Sequence, residues 1–405
     1  MAAVPPDRAT PQSAHPVPPA LLHVCFVLAV VNVVFFPAGY SAHWWIVDAQ
    51  GLGIPTDFVN VWSAGRLVND GTPALAYDWD IQKQVQLAVL GQGFPGHFAW
   101  HYPPPFLFVA AALATLPYGL AYAGWAALSL VPYLLAMRAI VGTPLGWLLA
   151  LAFPVVLTNA LVGQNGFLTA ALIGGFLVLL PARPVLAGIC LGLLSYKPQY
   201  GLLFPLALIA ASQWRAFASA AATALALAAL AWLAFGTESW QAFVHWLPMF
   251  SQAFLTEGRA PWGKMQSLFA LVRYCGGTEP LAWALQWTLT AAVAVAVALL
   301  WRSRRRYALK AAGLAAATLL VTPYLFLYDL MVLAVAVGFL VRLGLAHGFA
   351  RYELAVLGLA AALLIIYPLL GAPTGLAATL LVCALIARRC GVFGRRAALL
   401  AETAI

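Results

Sequence analysis

Long apolar runs alternate with short polar breaks along most of this chain, and the runs are too long for a soluble core. Leu21 to Tyr40 is 20 residues without Asp, Glu, Lys or Arg, enough to cross a hydrocarbon layer of about 30 Å. No small-x-small cleavage pattern in a suitable setting follows it, so the run reads as an uncleaved first transmembrane helix. Further apolar runs lie near 105–117, 119–137, 145–161, 166–181, 185–211, 216–235, 281–301, 308–322, 323–341, 354–370 and 373–387. Lys197-Pro198 interrupts the run at 185–211. The pattern predicts an all-α integral membrane protein of about 11–12 spans. Residues 21–387 form one polytopic domain in this reading, between a flexible tail at 1–20 and a basic tail at 388–405.

Two longer polar stretches, 41–104 and 236–280, break the rhythm. The first holds five acids (Asp48, Asp57, Asp70, Asp78, Asp80) of the twelve in the chain. A structureless loop of that length is improbable unless it carries function. Within it Phe58, Val61, Trp62, Gly65 and Val68 recur at helical spacing, with Asn60, Ser63, Arg66, Asn69 and Asp70 off the stripe. That predicts an amphipathic helix at the interface, followed by a second segment from Trp79 to Leu90.

Composition agrees: 64% hydrophobic and 8% charged positions, against about 25% charged in a soluble domain. The net charge of +9 is not a nucleic-acid signature. Nine of the 21 Lys and Arg fall in two clusters, Arg302, Arg304, Arg305, Arg306 and Lys310, and Arg388, Arg389, Arg395 and Arg396. Each cluster borders an apolar run and lacks interleaved stacking aromatics, so nucleic acid is excluded and a cytoplasmic face is marked. Contact with membrane lipids, anionic headgroups included, is the secondary reading. Parity then puts 41–104 and 236–280 on the outer side, although Arg138 and Arg183 do not both fit it. The five cysteines are scattered without a CxxC pair, which gives neither a disulfide framework nor a zinc site.

Few polar residues stand out against this background. Asp57 precedes the first amphipathic helix, where it reads as an N-cap, as a general base at the membrane surface, or as both. Lys197 interrupts Leu191–Leu203, at an insertion cost of about 2.5–3.5 kcal/mol for a charge at a helix centre. It reads as a phosphate contact or as a snorkelling side chain in a short loop. Asp329 is the one acid between Glu279 and Glu353, a partner for Lys197, for substrate hydroxyls or for a helix end. Tyr324 and Tyr328, four apart, would share a helical face. His97 and His101 have metal-ligand spacing, but Gly96, Pro103 and the want of a clear third ligand oppose a metal site. Gln164 and Asn165 suit sugar hydroxyls or a simple turn. Trp240, Trp246 and Trp262 suit an aromatic belt or a carbohydrate cleft. No P-loop, GxGxxG, Ser-His-Asp or HExxH pattern occurs.

Several strings taken in order are more specific. Thr56-Asp57-Phe58, Trp62-Ser63-Ala64-Gly65-Arg66, Asp70-Gly71-Thr72-Pro73 and Ala76-Tyr77-Asp78 resemble the first outer loop of glycosyltransferase family 87. So do His101-Tyr102-Pro103-Pro104-Pro105-Phe106 with Leu116-Pro117, Gly163-Gln164-Asn165, Ala187-Gly188 with Lys197-Pro198, and Thr322-Pro323-Tyr324 with Tyr328-Asp329-Leu330. Some relatives carry histidine near the last string, where this chain has Tyr-Asp.

The resemblance implies a glycosyltransferase-C superfold. It implies inverting transfer of a mannose- or arabinose-type sugar from a polyprenyl-phosphate donor, which is a substrate and not a cofactor, to a lipid or glycan acceptor. It places the protein in a bacterial inner membrane with its active site facing the periplasm or exterior. The family's catalytic acid maps onto Asp57. Lys197, with Arg66 or Lys264, becomes the expected phosphate holder, and His101, Tyr102, Gln164, Asn165, Tyr328 and Asp329 the expected substrate contacts. A secondary transporter or flippase would share the Lys-Pro break and the sparse intramembrane charges; in a non-catalytic envelope scaffold Asp57 would be only a cap.

Overall fold

A computed structural model describes residues 15–391, so Arg395 and Arg396 and the first fourteen residues of the expected tail lie outside the described residues. His15 donates its amide to the Leu345 carbonyl at 3.0 Å, so the end of that tail is fixed against a later helix. Arg388 and Arg389 close the helix Thr374–Arg389 and do not belong to a tail. Among the described residues the protein is helical throughout, with isolated bridges in place of strands. All the apolar runs appear as helices.

Among the described residues six helices, against the 11–12 spans expected, are long and apolar enough to cross a bilayer: Pro19–Ser41, Tyr118–Val141, the Trp214–Thr256 stretch, Glu279–Arg302, Leu327–His347 and Glu353–Leu370. Leu145–Ala152 and Val155–Val162 make a seventh if counted as one span, bent by 61° at Phe153-Pro154, where proline removes a helical donor. The other runs are shorter. Gly166–Leu179 has 14 residues, about 21 Å at helical rise, and does not traverse the hydrocarbon alone. The 185–211 run divides into Pro184–Leu193, two 3-10 turns and Leu203–Ala210 around Lys197. Irregular backbone at such depth is tolerated where protein surrounds it.

Small residues set the packing. Pro184–Leu193 lies against Trp214–Ser251 through Gly188 and Gly192, where an added Cβ would run into the Ala216 and Ala220 carbonyls and the Thr223 side chain. This small-xxx-small contact lets two backbones approach within lipid, where apolar burial between helices gives little drive. At Gly236 (φ 73°, ψ 171°) the helix Trp214–Ser251 is kinked. The expected outer loop beginning there continues as helix to Ser251, then a π-turn, Gln252–Thr256.

The expected first outer loop is built. Phe58–Asn69 and Trp79–Leu90 are helices, joined by a 3-10 turn at Pro73–Tyr77. Asp78 caps the second, accepting from the Asp80 and Ile81 amides at 3.0 Å each. The first is covered more fully than its stripe predicts. Asn60 and Ser63 are buried with Phe58 and Val61, because the helix also packs on Leu107–Leu113, where Gly65 meets the Ala110 carbonyl. Trp79 stacks on Trp246 at 5.7 Å and lies beneath Arg259 at 5.5 Å, so the two polar stretches close on each other.

Candidate active site

Three breaks in the helical pattern meet the first loop at one place. The first is Gly163-Gln164-Asn165, between Val155–Val162 and Gly166–Leu179. Gly163 adopts φ +67°, a left-handed conformation that closes the preceding helix and costs glycine least. A Cβ there would strike Phe58 and Tyr122, so glycine also lets this turn come up to the residue after Asp57.

Gln164 is consequently delivered to Asp57. Its Nε2 donates to Asp57 Oδ2 at 3.0 Å, while its Oε1 accepts from Tyr102 Oη at 3.1 Å and the Asn165 amide at 3.3 Å. The amide is thus fixed in orientation before it meets the carboxylate. Asp57 occupies the cap position of Phe58–Asn69 with helical angles (φ −58°, ψ −25°) and makes no side-chain cap bond. Its carboxylate faces the site, and among the described residues Oδ1 accepts no hydrogen bond. Burial raises the Asp57 carboxyl pKa above the ordinary carboxylate value; the Gln164 hydrogen bond and the Lys264 and Lys197 charges oppose that rise, and Asp329 adds to it.

The second and third breaks supply Lys197 and Asp329. Lys197 stands at a non-helical break (φ −130°, ψ 71°) between two 3-10 turns. Asp329 lies in the turn Leu327–Leu330, ahead of the helix Met331–His347. Lys197 Nζ donates to Asp329 Oδ1 at 2.6 Å, and the Phe326 amide donates to Oδ2 at 3.1 Å. Both side chains are buried, at 5% and 3% exposure. Tyr200, Tyr328 and Tyr102 surround the ammonium with ring centroids at 5.6, 5.6 and 6.0 Å. Paired and faced by three rings, Lys197 is compensated for burial and is neither a snorkelling side chain nor an exposed phosphate ligand.

His101 is sandwiched between Phe250 at 4.4 Å and Tyr102 at 4.6 Å, with Tyr324 edge-on at 5.9 Å. Burial pushes its pKa down to about 4. The neutral ring lies with Nδ1 3.2 Å from the Ala99 carbonyl, which can only accept, so Nδ1 bears the proton and Nε2 is an acceptor. His97 turns elsewhere, to within 3.6 Å of the Asp80 carboxylate. Tyr324 precedes the 3-10 turn, so its four-residue spacing from Tyr328 is not that of a helical face. Both belong to a partly exposed aromatic wall that continues through Phe254 and Phe326.

The remaining expected residues separate. Lys264 is exposed at the end of the turn Trp262–Lys264, and its charge acts on Asp57. Arg66 points out of the helix to Asp70 at 3.2 Å, both about half exposed, and is not brought into the site. Asn165 adjoins Gln164; its carbonyl lies 3.5 Å from Tyr196 Oη, which pairs with Thr169 at 2.7 Å. Tyr200, Tyr196 and Phe250 are additions that sequence reading missed, being aromatic residues in a chain with 13% aromatics. Trp262 lies under Arg273 at 5.0 Å and Trp246 on Trp79, so both pair within the protein.

In sum, the geometry offers a carboxylate with one open oxygen, an exposed cation acting on it, a neutral imidazole and an aromatic wall. Compared with known proteins, residues 100–323 match the profile of glycosyltransferase family 87. That stretch contains His101, Tyr102, Gln164, Asn165, Lys197 and Lys264, and it lies between Asp57 and Asp329. No curated protein matches the chain.

Proposed function

Since this chain belongs to glycosyltransferase family 87 and is a multi-pass membrane glycosyltransferase, we propose that Asp57 is the general base of sugar transfer from a polyprenyl-phosphate donor. The acceptor is a hydroxyl of an envelope lipid or glycan, at the periplasmic or outer face of a bacterial inner membrane, and the sugar is of the mannose or arabinose type. The observation that carries the reading is Asp57 itself, a carboxylate at a helix start that caps nothing and is held by an oriented glutamine with Oδ1 open.

The acceptor hydroxyl gives its proton to Asp57 Oδ1 as its oxygen attacks the anomeric carbon. The bond from that carbon to the phosphate oxygen breaks, and its electron pair leaves with the polyprenyl phosphate. Attack opposite the leaving group inverts the anomeric centre. The leaving group departs as a stable anion, so the chemistry calls for a base and a cation more than for an acid. The burial that raises the Asp57 pKa makes its ionised carboxylate a stronger base toward the acceptor proton.

Of the three cations expected to meet the donor phosphate, Lys264 fits that part best, because it is exposed and acts on Asp57. Lys197 supports it from beneath: its bond to Asp329 and its tyrosine cage fix the floor, and its charge also reaches Asp57. The wall of Phe250, Phe254, Tyr324, Phe326 and Tyr328 suits sugar rings or prenyl chain, and His101 Nε2 can accept from a sugar hydroxyl. Sugar transfer by the purified chain in lipid, wild type against Asp57→Asn, tests the reading.

A further inference from the structure

At the other end of Met331–His347 lies a second built feature. From Met331 to Leu343 is twelve residues, roughly 18 Å along the axis, so it stands well away from Asp57. Here Arg304, Arg305 and Arg306 form the short connection between Glu279–Arg302 and Tyr307–Thr318. With Leu309, Leu343 and Arg389 they line a cavity of about 400 Å³. That is within the usual range for a small-molecule site, about 300–1,000 Å³.

A bias of cations to one membrane face explains why arginines occur in this loop. It does not explain their convergence on one cavity without counter-charge. Among the described residues, no carboxylate lies within ion-pair distance of Arg304, Arg305 or Arg306. Arg389 is treated differently. It makes a two-point contact with Glu353 and donates to the Gly348 carbonyl at 3.0 Å, which fixes it as a wall. The loop is held too: the Ser303 amide bonds back to the Leu299 carbonyl at 3.1 Å, and its hydroxyl accepts from the Arg305 amide at 3.2 Å. Lys310 turns away, donating to the Trp301 carbonyl at 3.1 Å. Three exposed guanidiniums thus stand over two buried leucines, Leu309 and Leu343.

We propose that this cavity seats the phosphate headgroup of an anionic phospholipid from the leaflet opposite the Asp57 cluster. Guanidiniums match phosphate oxygens in charge and fork geometry, and the apolar floor suits the start of an acyl chain. Basic pockets between transmembrane helices bind such headgroups on the cytoplasmic side. The site is independent of sugar transfer and stands or falls separately from the function proposed above.

The test is thermal unfolding and native mass spectrometry of the full chain in detergent, titrated with phosphatidylglycerol, phosphatidylcholine or inorganic phosphate. Phosphatidylglycerol is expected to raise the midpoint and remain bound, and the other two to do neither. The triple variant R304Q/R305Q/R306Q should need roughly a hundredfold more lipid, at about 1 kcal/mol for each arginine lost. Should it not fold, Arg305→Gln alone should need about fivefold more. Arg302→Gln removes a charge from the same cluster without touching the cavity and should behave as wild type. An equal loss in Arg302→Gln would overturn the site in favour of a diffuse field. Full effect from inorganic phosphate, or an unchanged response in the arginine variants, would overturn the lipid assignment.

Discussion

Asp57 begins a helix without capping it, and Gln164, 107 positions along the chain, takes its carboxylate at 3.0 Å instead. An N-cap bond typically contributes about 1 kcal/mol, and here that carboxylate is directed into a cluster where burial raises its pKa. Such an arrangement opposes stability and is consistent with chemistry at that carboxylate.

The sign of that shift sets the first expectation. A carboxyl group whose folded pKa is raised costs stability when ionised: the penalty is absent below its unfolded pKa and grows as pH rises through the window up to the folded value. Asp57→Asn removes the charge and keeps an oxygen for Gln164 Nε2. Its thermal midpoint at neutral pH should equal or exceed that of the wild type. A clear drop would show that Asp57 contributes to folding more than to reaction.

Gln164→Leu removes a hydrogen bond that lowers the Asp57 pKa. The base would then ionise at still higher pH. The acidic limb of kcat/KM should move upward relative to wild type, with activity partly recovered at alkaline pH. A purely structural glutamine would lower the whole profile without moving the limb.

The buried pair of Lys197 and Asp329 gives a contrasting case. Lys197→Met leaves an uncompensated carboxylate and should cost about 3–5 kcal/mol in unfolding free energy. The double variant Lys197→Met, Asp329→Leu should regain most of that while remaining poor in transfer. Denaturant unfolding of the three proteins decides it; a double variant no more stable than the single one would refute the pairing argument.

Arg66 and Lys264 separate by the same logic. Arg66→Gln loses an exposed pair worth about 0–1 kcal/mol and should leave donor KM unchanged. Lys264→Gln should raise donor KM about tenfold, a charge-assisted contact of roughly 1.5 kcal/mol. Steady-state kinetics over donor concentration checks both.

Much of this site was legible because charge is rare in the chain. Asp57, Lys197 and Asp329 stand out wherever neighbours are apolar, and the Lys197-Pro198 break foretold irregular backbone. Helical spacing similarly located Phe58–Asn69, and the mix of polar and apolar positions marked the second segment, Trp79–Leu90. What remained hidden depends on long-range convergence. Nothing local to Gln164 tells that Gly163 brings it to Asp57 or that Tyr102 orients it. Nor does apolar length reveal that Lys197 is buried and paired, which makes it a floor where its charge suggested a ligand. The tyrosine and phenylalanine partners are invisible among so many aromatics, and Arg66 shows the converse, a residue carried by the family strings that turns to solvent. Span counting fails for a related reason: hydropathy does not distinguish one full crossing from short helices meeting inside the protein, as around Lys197.

The central claim is best tested by sugar transfer in lipid, using purified wild type and Asp57→Asn with radiolabelled polyprenyl-phosphate mannose or arabinose and total membrane acceptors. Asp57 as base requires wild-type turnover and a loss of about 10²–10⁴-fold in the folded variant. Transfer by Asp57→Asn at the wild-type rate would contradict it.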